Sequence, residues 1–202
     1  MSEAERNLRH REKMAKVKAA RERMMQAKTV EKGLLIVHTG AGKGKSTAAF
    51  GLLLRALGHG MRAGVVQFVK GAWATGERSF LERFPDLVTF RAMGEGFTWE
   101  TQDRERDIAA ARAAWEAAKA MIADPSYRLV VLDELNIVLR YGTLPLDEVL
   151  QALKARPPAL HLVVTGRNAP PELIAEADLV TEMTLVKHPF REGVKAQKGI
   201  EF

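Results

Sequence analysis

The stretch Thr39-Gly40-Ala41-Gly42-Lys43-Gly44-Lys45-Ser46-Thr47 decides the reading of this chain. It follows the apolar run Leu34-Leu35-Ile36-Val37 and opens into Ala48–Leu57, a segment of helix-forming residues. Strand, glycine-rich turn, Lys-Ser and helix is the layout of a phosphate-binding loop. Glycines let successive backbone N–H groups turn inward around phosphate oxygens, and the helix N-terminus adds the positive end of its dipole. Gly40, Ala41, Gly42, Lys43, Gly44, Lys45, Ser46 and Thr47 are therefore the candidate nucleotide-binding residues. Lys45 is suited to reach phosphate oxygens, and the Ser46 hydroxyl to ligate Mg2+. Lys43 adds charge where several phosphate groups would lie. The common pattern GxxxxGK[ST] has Gly where this chain has Thr39, so the loop counted from Gly40 is one residue short.

A second signal is Leu129-Val130-Val131-Leu132-Asp133-Glu134. An apolar strand ending in Asp-Glu is the Walker B arrangement of P-loop proteins, in which the acidic pair helps to hold Mg2+ or its water shell. Taken alone such a strand end is common, and helix capping or a surface position explains it as well. With the phosphate loop upstream, Asp133 and Glu134 become candidate metal ligands beside Ser46. Thr165-Gly166-Arg167 ends another apolar run, which puts Arg167 at the same edge, where a guanidinium can grip phosphate in a bidentate manner. A surface salt bridge is the plain alternative for Arg167, and a packing role is favoured for His38. Phe97 and Trp99 stand close together in the glycine-flanked stretch Gly94–Thr101. There they can form an apolar wall of a ligand site, whereas Trp115, in an Ala-rich helical stretch, reads as core.

Around these motifs the chain alternates between strands and helices. Strand-like runs are Leu34–His38, Ala63–Val69, Val88–Arg91, Leu129–Asp133, His161–Thr165 and Leu179–Met183; helical stretches include Gln102–Ile122 and Leu146–Lys154. The alternation predicts an α/β fold, a P-loop NTPase-like (RecA-like), mostly parallel sheet with helices on both faces. Its ligands belong at the carboxyl ends of the strands. Residues 33–202 form this domain, and residues 1–32 precede it as a basic arm. Residues 3–28 lack Gly and Pro and carry only a thin apolar stripe, which predicts a mobile helix.

The chain has 202 residues, no Cys and a net charge of +6. Residues 1–32 hold ten Lys/Arg against five Asp/Glu, so nearly all of the positive surplus lies there. The globular part is close to neutral, which argues against a nucleic-acid partner. Without thiols, disulfides and thiolate metal sites are excluded. No apolar run is long enough to span a membrane and no secretory signal precedes the domain, so the expected location is cytoplasmic.

Together the pieces resemble the P-loop-type ATP:corrinoid adenosyltransferases. The resemblance runs from about Gly33 to Phe202 and rests on TGAGKGKSTAAFG (39–51), VVQFVKG (65–71), GFTW (96–99), VVLDELN (130–136), VTGR (164–167) and VKAQKGIEF (194–202). The short loop is a feature of that family. The family often has Asn at the position of Ala41 and Thr at that of Ser46. Ser46 keeps the hydroxyl, while Ala41 leaves phosphate binding at that point to the backbone.

The resemblance implies that a reduced, Co(I) corrinoid attacks the ribose C5′ of ATP, giving an adenosylated corrinoid and tripolyphosphate in coenzyme B12 biosynthesis or salvage. It implies Mg2+ as cofactor and Lys45 and Glu134 among the catalytic groups. Phe97 and Trp99 would lie beneath the corrin ring, displacing an axial ligand of Co(II) and easing its reduction. It further implies a homodimer, an electron-donating flavoprotein reductase as partner, and an N-terminal helix that closes over bound corrinoid. The rival reading is a RecA-like, nucleic-acid-stimulated ATPase, which would use the basic arm and produce ADP and phosphate. A small-molecule kinase lacks an identifiable acceptor-activating base, and a non-catalytic nucleotide binder leaves Phe97 and Trp99 unexplained.

Overall fold

The computed structural model describes residues 2–69, 75–94 and 103–201. The chain divides into two compact units, Met1–Lys32 and Gly33–Phe202. The first consists mainly of helix α1, Glu3–Gln26, which opens with a capping box: Ser2 accepts from the Glu5 amide while the Glu5 carboxylate accepts from the Ser2 amide. None of the α1 residues is buried.

The second unit is built on a six-stranded parallel sheet. Its strands are β1 (Leu35–Thr39), β2 (Ala63–Gln67), β3 (Val88–Ala92), β4 (Leu129–Asp133), β5 (His161–Thr165) and β6 (Leu179–Glu182), in the order β3-β2-β4-β5-β1-β6. Helices alternate with them: α2 (Lys45–Gly58), α3 (Gly76–Leu81), α4 (Arg104–Ala123), α5 (Leu135–Arg140), α6 (Leu146–Lys154) and α7 (Pro171–Glu176), with a 3-10 turn at Pro189–Glu192. The predicted fold class is the observed one.

Burial on both faces explains the unbroken apolar runs of β1, β2, β4 and β5. Ile36, Val65, Val131 and Val163 meet Ala49, Phe50 and Leu53 of α2. Leu35, Val37, Val66, Val130, Leu132 and Val164 form the other face, with Ala114 and Trp115 of α4, Leu135 of α5 and Leu153 of α6. Truncating a fully buried side chain such as Leu53 costs about 2–5 kcal/mol. Trp115 is core, as expected, and its indole N–H donates to Glu148 Oε1 at 2.9 Å.

The departures from expectation have local causes. Helix α2 begins at Lys45, because Gly44 at φ 105° turns the chain directly into it. Strand β2 stops at Gln67, two residues before the expected end, and β1 extends to Thr39, whose carbonyl accepts from Met183 N at 2.9 Å. Three short helices, α3, α5 and α7, span six residues each, too few for a periodic apolar pattern to show in the sequence. Phe97, Trp99 and the GFTW block lie outside the described residues, as do Gln102 and part of VVQFVKG.

Candidate active site at the carboxyl edge of the sheet

The strand order brings the motifs together. The phosphate loop leaves β1 and the acidic pair leaves β4, with β5 and its Thr165-Gly166-Arg167 between them. All three emerge at the carboxyl edge of parallel strands, the position ligands take in such sheets.

The loop itself is an open anion cradle. Helix α2 has Gly44 as its N-cap, with no side-chain cap and no acidic residue in its first turn. Its first amides thus have no side-chain cap, at the positive end of a 14-residue helix, an arrangement suited to an anion. Gly40 and Gly44 have φ of 98° and 105°, a left-handed region that glycine enters without strain. Gly40 and Gly42 are also needed for packing, because a Cβ on either would collide with the backbone of Met183 or Thr184 just past β6. Gly42 N donates to Met183 O at 2.6 Å. The loop is thus braced from outside by the residues just past the edge strand β6.

Cations converge on this cradle. Lys45 Nζ donates to Gly42 O, folding its side chain back over the loop. Its pKa is held below the usual lysine value, chiefly by burial and then by the Arg167 guanidinium, with Lys43 acting in the same direction. Glu134 and Asp133 act against that lowering. The five groups thus share one electrostatic neighbourhood, which unites the two motifs and Arg167 as the spacing suggested. Ser46 is half-buried in the first turn of α2, while Ala41 and Thr47 are exposed.

The acidic pair divides by environment. Asp133 is 0 % exposed, and both of its oxygens accept hydrogen bonds: Oδ2 from Gln67 Nε2 at 2.9 Å, Oδ1 from Thr165 Oγ1 at 2.7 Å. Thr165 Oγ1 in turn accepts from the Glu134 amide at 2.9 Å. Glu134 has φ 65°, left-handed for a residue with a Cβ, so its side chain departs in a direction that ordinary strand geometry would not give. A buried relay from Gln67 through Asp133 and Thr165 fixes the backbone at that turn.

Strand alternation extends this relay into a polar row. Gln67, Asp133, Thr165 and His38 follow Val65, Val131, Val163 and Ile36 onto the α2 face. Gln67 pairs in register with Asp133, and His38 with Thr165. His38 is 6 % exposed, and neither ring nitrogen has a hydrogen-bond partner. Burial lowers its pKa, so it sits in the row as a neutral imidazole.

Several organising residues escaped the sequence reading. Thr39, which departs from the usual glycine, accepts from Ala169 N at 3.1 Å and ties the loop after β5 to the phosphate loop. Asn136 donates from Nδ2 to Gly166 O at 3.0 Å and holds the same loop from the other side. Each links segments far apart in sequence, and no motif records such a link. Glu201 forms an ion pair with Lys43. It lies within the 194–202 block, but spacing alone gave no reason to bring that block to the loop.

Comparison with known proteins adds the family. Residues 31–202 match the family described as ATP:corrinoid adenosyltransferase BtuR/CobO/CobP. The chain belongs to the ATP:corrinoid adenosyltransferase family. The corrinoid adenosyltransferase of Pseudomonas aeruginosa is 59% identical over 198 residues, covering 98% of each chain. That of a Sinorhizobium species is 59% identical over 96% of this chain and 92% of its own. The corrinoid adenosyltransferase CobA of Salmonella typhimurium is 49% identical over 96% of this chain and 98% of its own. The matched residues of this family member contain the whole phosphate loop, Asp133, Glu134 and Arg167. Among the described residues no helix is long and apolar enough to cross a membrane.

Proposed function

We propose that this protein transfers the 5′-deoxyadenosyl group of ATP to the cobalt of a Co(I) corrinoid and releases tripolyphosphate, in the formation or salvage of coenzyme B12. The observation that carries this is the family match over residues 31–202, with the phosphate loop inside it. In the step, the Co(I) electron pair forms the cobalt–carbon bond at C5′ as the C5′–O bond breaks. That bonding pair leaves with the triphosphate. Negative charge therefore grows on the oxygen that was bonded to C5′, and stabilising it lowers the barrier.

Lys45, Lys43 and the open amides of α2 supply that stabilisation, with Arg167 as a further phosphate contact. Ser46 and Glu134 offer hard oxygen donors of the kind Mg2+ takes, so the donor set fits the ion. Bound there, Mg2+ would offset charge on the leaving polyphosphate. Asp133, with both oxygens committed inside the sheet, orders the Glu134 turn. In the same reading Phe97 and Trp99, which lie outside the described residues, would ease reduction of the Co(II) corrinoid by a flavoprotein through their apolar character. A cytoplasmic homodimer accompanies the same reading.

The test is direct. Chemically reduced Co(I) corrinoid and MgATP are mixed with the enzyme, and the photolabile Co–C product is followed by absorbance. Wild type yields it, and Lys45→Ala loses on the order of 10²-fold in rate. No product from wild-type enzyme with a range of reduced corrinoids would overturn the proposal.

A further inference from the structure

The segment after β6 returns to the phosphate loop. Met183 and Thr184 back Gly40 and Gly42, and the chain then runs through the 3-10 turn to a turn at Gln197, whose carbonyl accepts from Ile200 N and Glu201 N. That turn delivers Glu201 to Lys43. The Glu201 side chain is 18 % exposed and that of Lys43 52 %. A carboxylate thus stands against a cation of a loop whose amides, Lys45 and helix dipole are all arranged for anions.

We infer that Glu201 is an affinity-setting residue of the nucleotide site: its carboxylate holds Lys43 while the loop is empty, yields Lys43 to the triphosphate, and retakes it as the polyphosphate product leaves. The inference rests on the proposed reading of the loop as a triphosphate site. Its logic is competition for one ammonium. A polyphosphate carries several negative charges to Glu201's one, and it also takes the α2 amides, so it wins the exchange. The exchange still weakens binding, because an ion pair is broken and a carboxylate is left beside phosphate oxygens. The weakening falls on substrate and product alike. It matters more for the product, because tripolyphosphate carries the same three phosphates as ATP and must leave the same loop at each turnover. Glu201 trades ground-state affinity for turnover.

The test measures binding of inorganic tripolyphosphate and of ATP, each with Mg2+, to the full chain by calorimetry. Wild type, Glu201→Gln, Lys43→Ala, the double variant and Lys45→Ala are compared. Glu201→Gln tightens both ligands equally, by about two- to fivefold, the upper part of the range for losing one partly exposed charge pair. Tripolyphosphate release, followed by displacement in stopped flow, slows by a similar factor. In the Lys43→Ala background the same change moves affinity by less than about twofold. Thermal melting of each variant checks that the fold is kept, and Glu201→Ala repeats the result with a second side chain.

Unchanged or weakened binding of both ligands would overturn the inference, since Glu201 would then be aiming Lys43 at phosphate. Weakened ATP with unchanged tripolyphosphate would overturn it too, by showing a contact to the nucleoside. Equal tightening with and without Lys43 would reduce Glu201 to a background field and remove the exchange. If tripolyphosphate does not bind wild type, or binds Lys45→Ala equally well, the phosphate reading of the loop falls first, and this inference with it.

Discussion

Thr165 Oγ1 donates to Asp133 Oδ1 at 2.7 Å while accepting from the amide of Glu134, so one hydroxyl on β5 fixes both members of the acidic pair at the end of β4. The strand that separates the phosphate loop from the acidic strand is therefore part of the site. Thr165→Val keeps the shape of the side chain and removes both bonds. It leaves a buried carboxylate oxygen and a buried amide short of a partner, each costing about 1–3 kcal/mol. We expect a stability loss of about 3 kcal/mol in urea unfolding and at least a tenfold loss of adenosylation at saturating ATP. Thr165→Ser restores most of both. A Thr165→Val enzyme as stable and active as wild type would show that the relay does not order Glu134.

Gly42 and Gly51 make a matched pair. A Cβ at Gly42 meets the backbone of Thr184 and Met183, whereas one at Gly51, inside α2, meets nothing within 4 Å. Gly42→Ala should abolish measurable ATP binding by displacing the loop from its brace. Gly51→Ala should raise stability by about 0.5–1 kcal/mol, because it removes a flexible residue from a helix interior, and leave ATP affinity unchanged. Equilibrium dialysis and thermal melting measure both effects. Retained ATP binding in Gly42→Ala would refute the bracing role of Met183 and Thr184.

How legible was this in the sequence? The sheet and the strand–loop–helix geometry of residues 35–58 were, because an apolar run, glycines and Lys-Ser are local patterns with local causes. Asp133 and Glu134 were legible as a pair. Their division into a buried organiser and a residue at a left-handed turn was not, since it depends on Gln67 and Thr165 arriving from two other strands. Thr39 shows the same limit. Read locally it is a departure from the glycine pattern; in the fold it is the acceptor for Ala169 N. The short helices α3, α5 and α7 were missed because six residues make less than two turns.

Buried His38 and half-buried His161 should both weaken the fold as pH falls. His38 and His161 both have pKa values lowered by burial, and His161 Nδ1 accepts from Leu34 N at 3.1 Å, which requires it to be unprotonated there. A folded pKa below the unfolded value means that the unfolded chain takes up protons first as pH falls. The contribution is complete above the unfolded histidine value of about 6.5 and is lost as pH falls through the lowered folded values. Melting temperature should therefore drop below about pH 6.5, and His161→Asn should flatten part of that slope. A wild-type melting temperature constant from pH 7 to pH 5 would contradict this.

Phosphate chemistry and cobalt reduction should separate by variant. Lys45→Ala should lose activity even with preformed Co(I), because it removes stabilisation of the leaving group. Phe97→Ala combined with Trp99→Ala should lose activity mainly in assays that start from Co(II) with a mild reductant. Equal losses in both assays would assign the two aromatics to packing or general binding.

The central claim is that the whole triphosphate leaves from C5′. Quantitative 31P NMR of a single turnover with MgATP and Co(I) corrinoid tests it. The account predicts one tripolyphosphate for each adenosylcorrinoid formed, and none without corrinoid. ADP and orthophosphate as the main corrinoid-dependent products would contradict it.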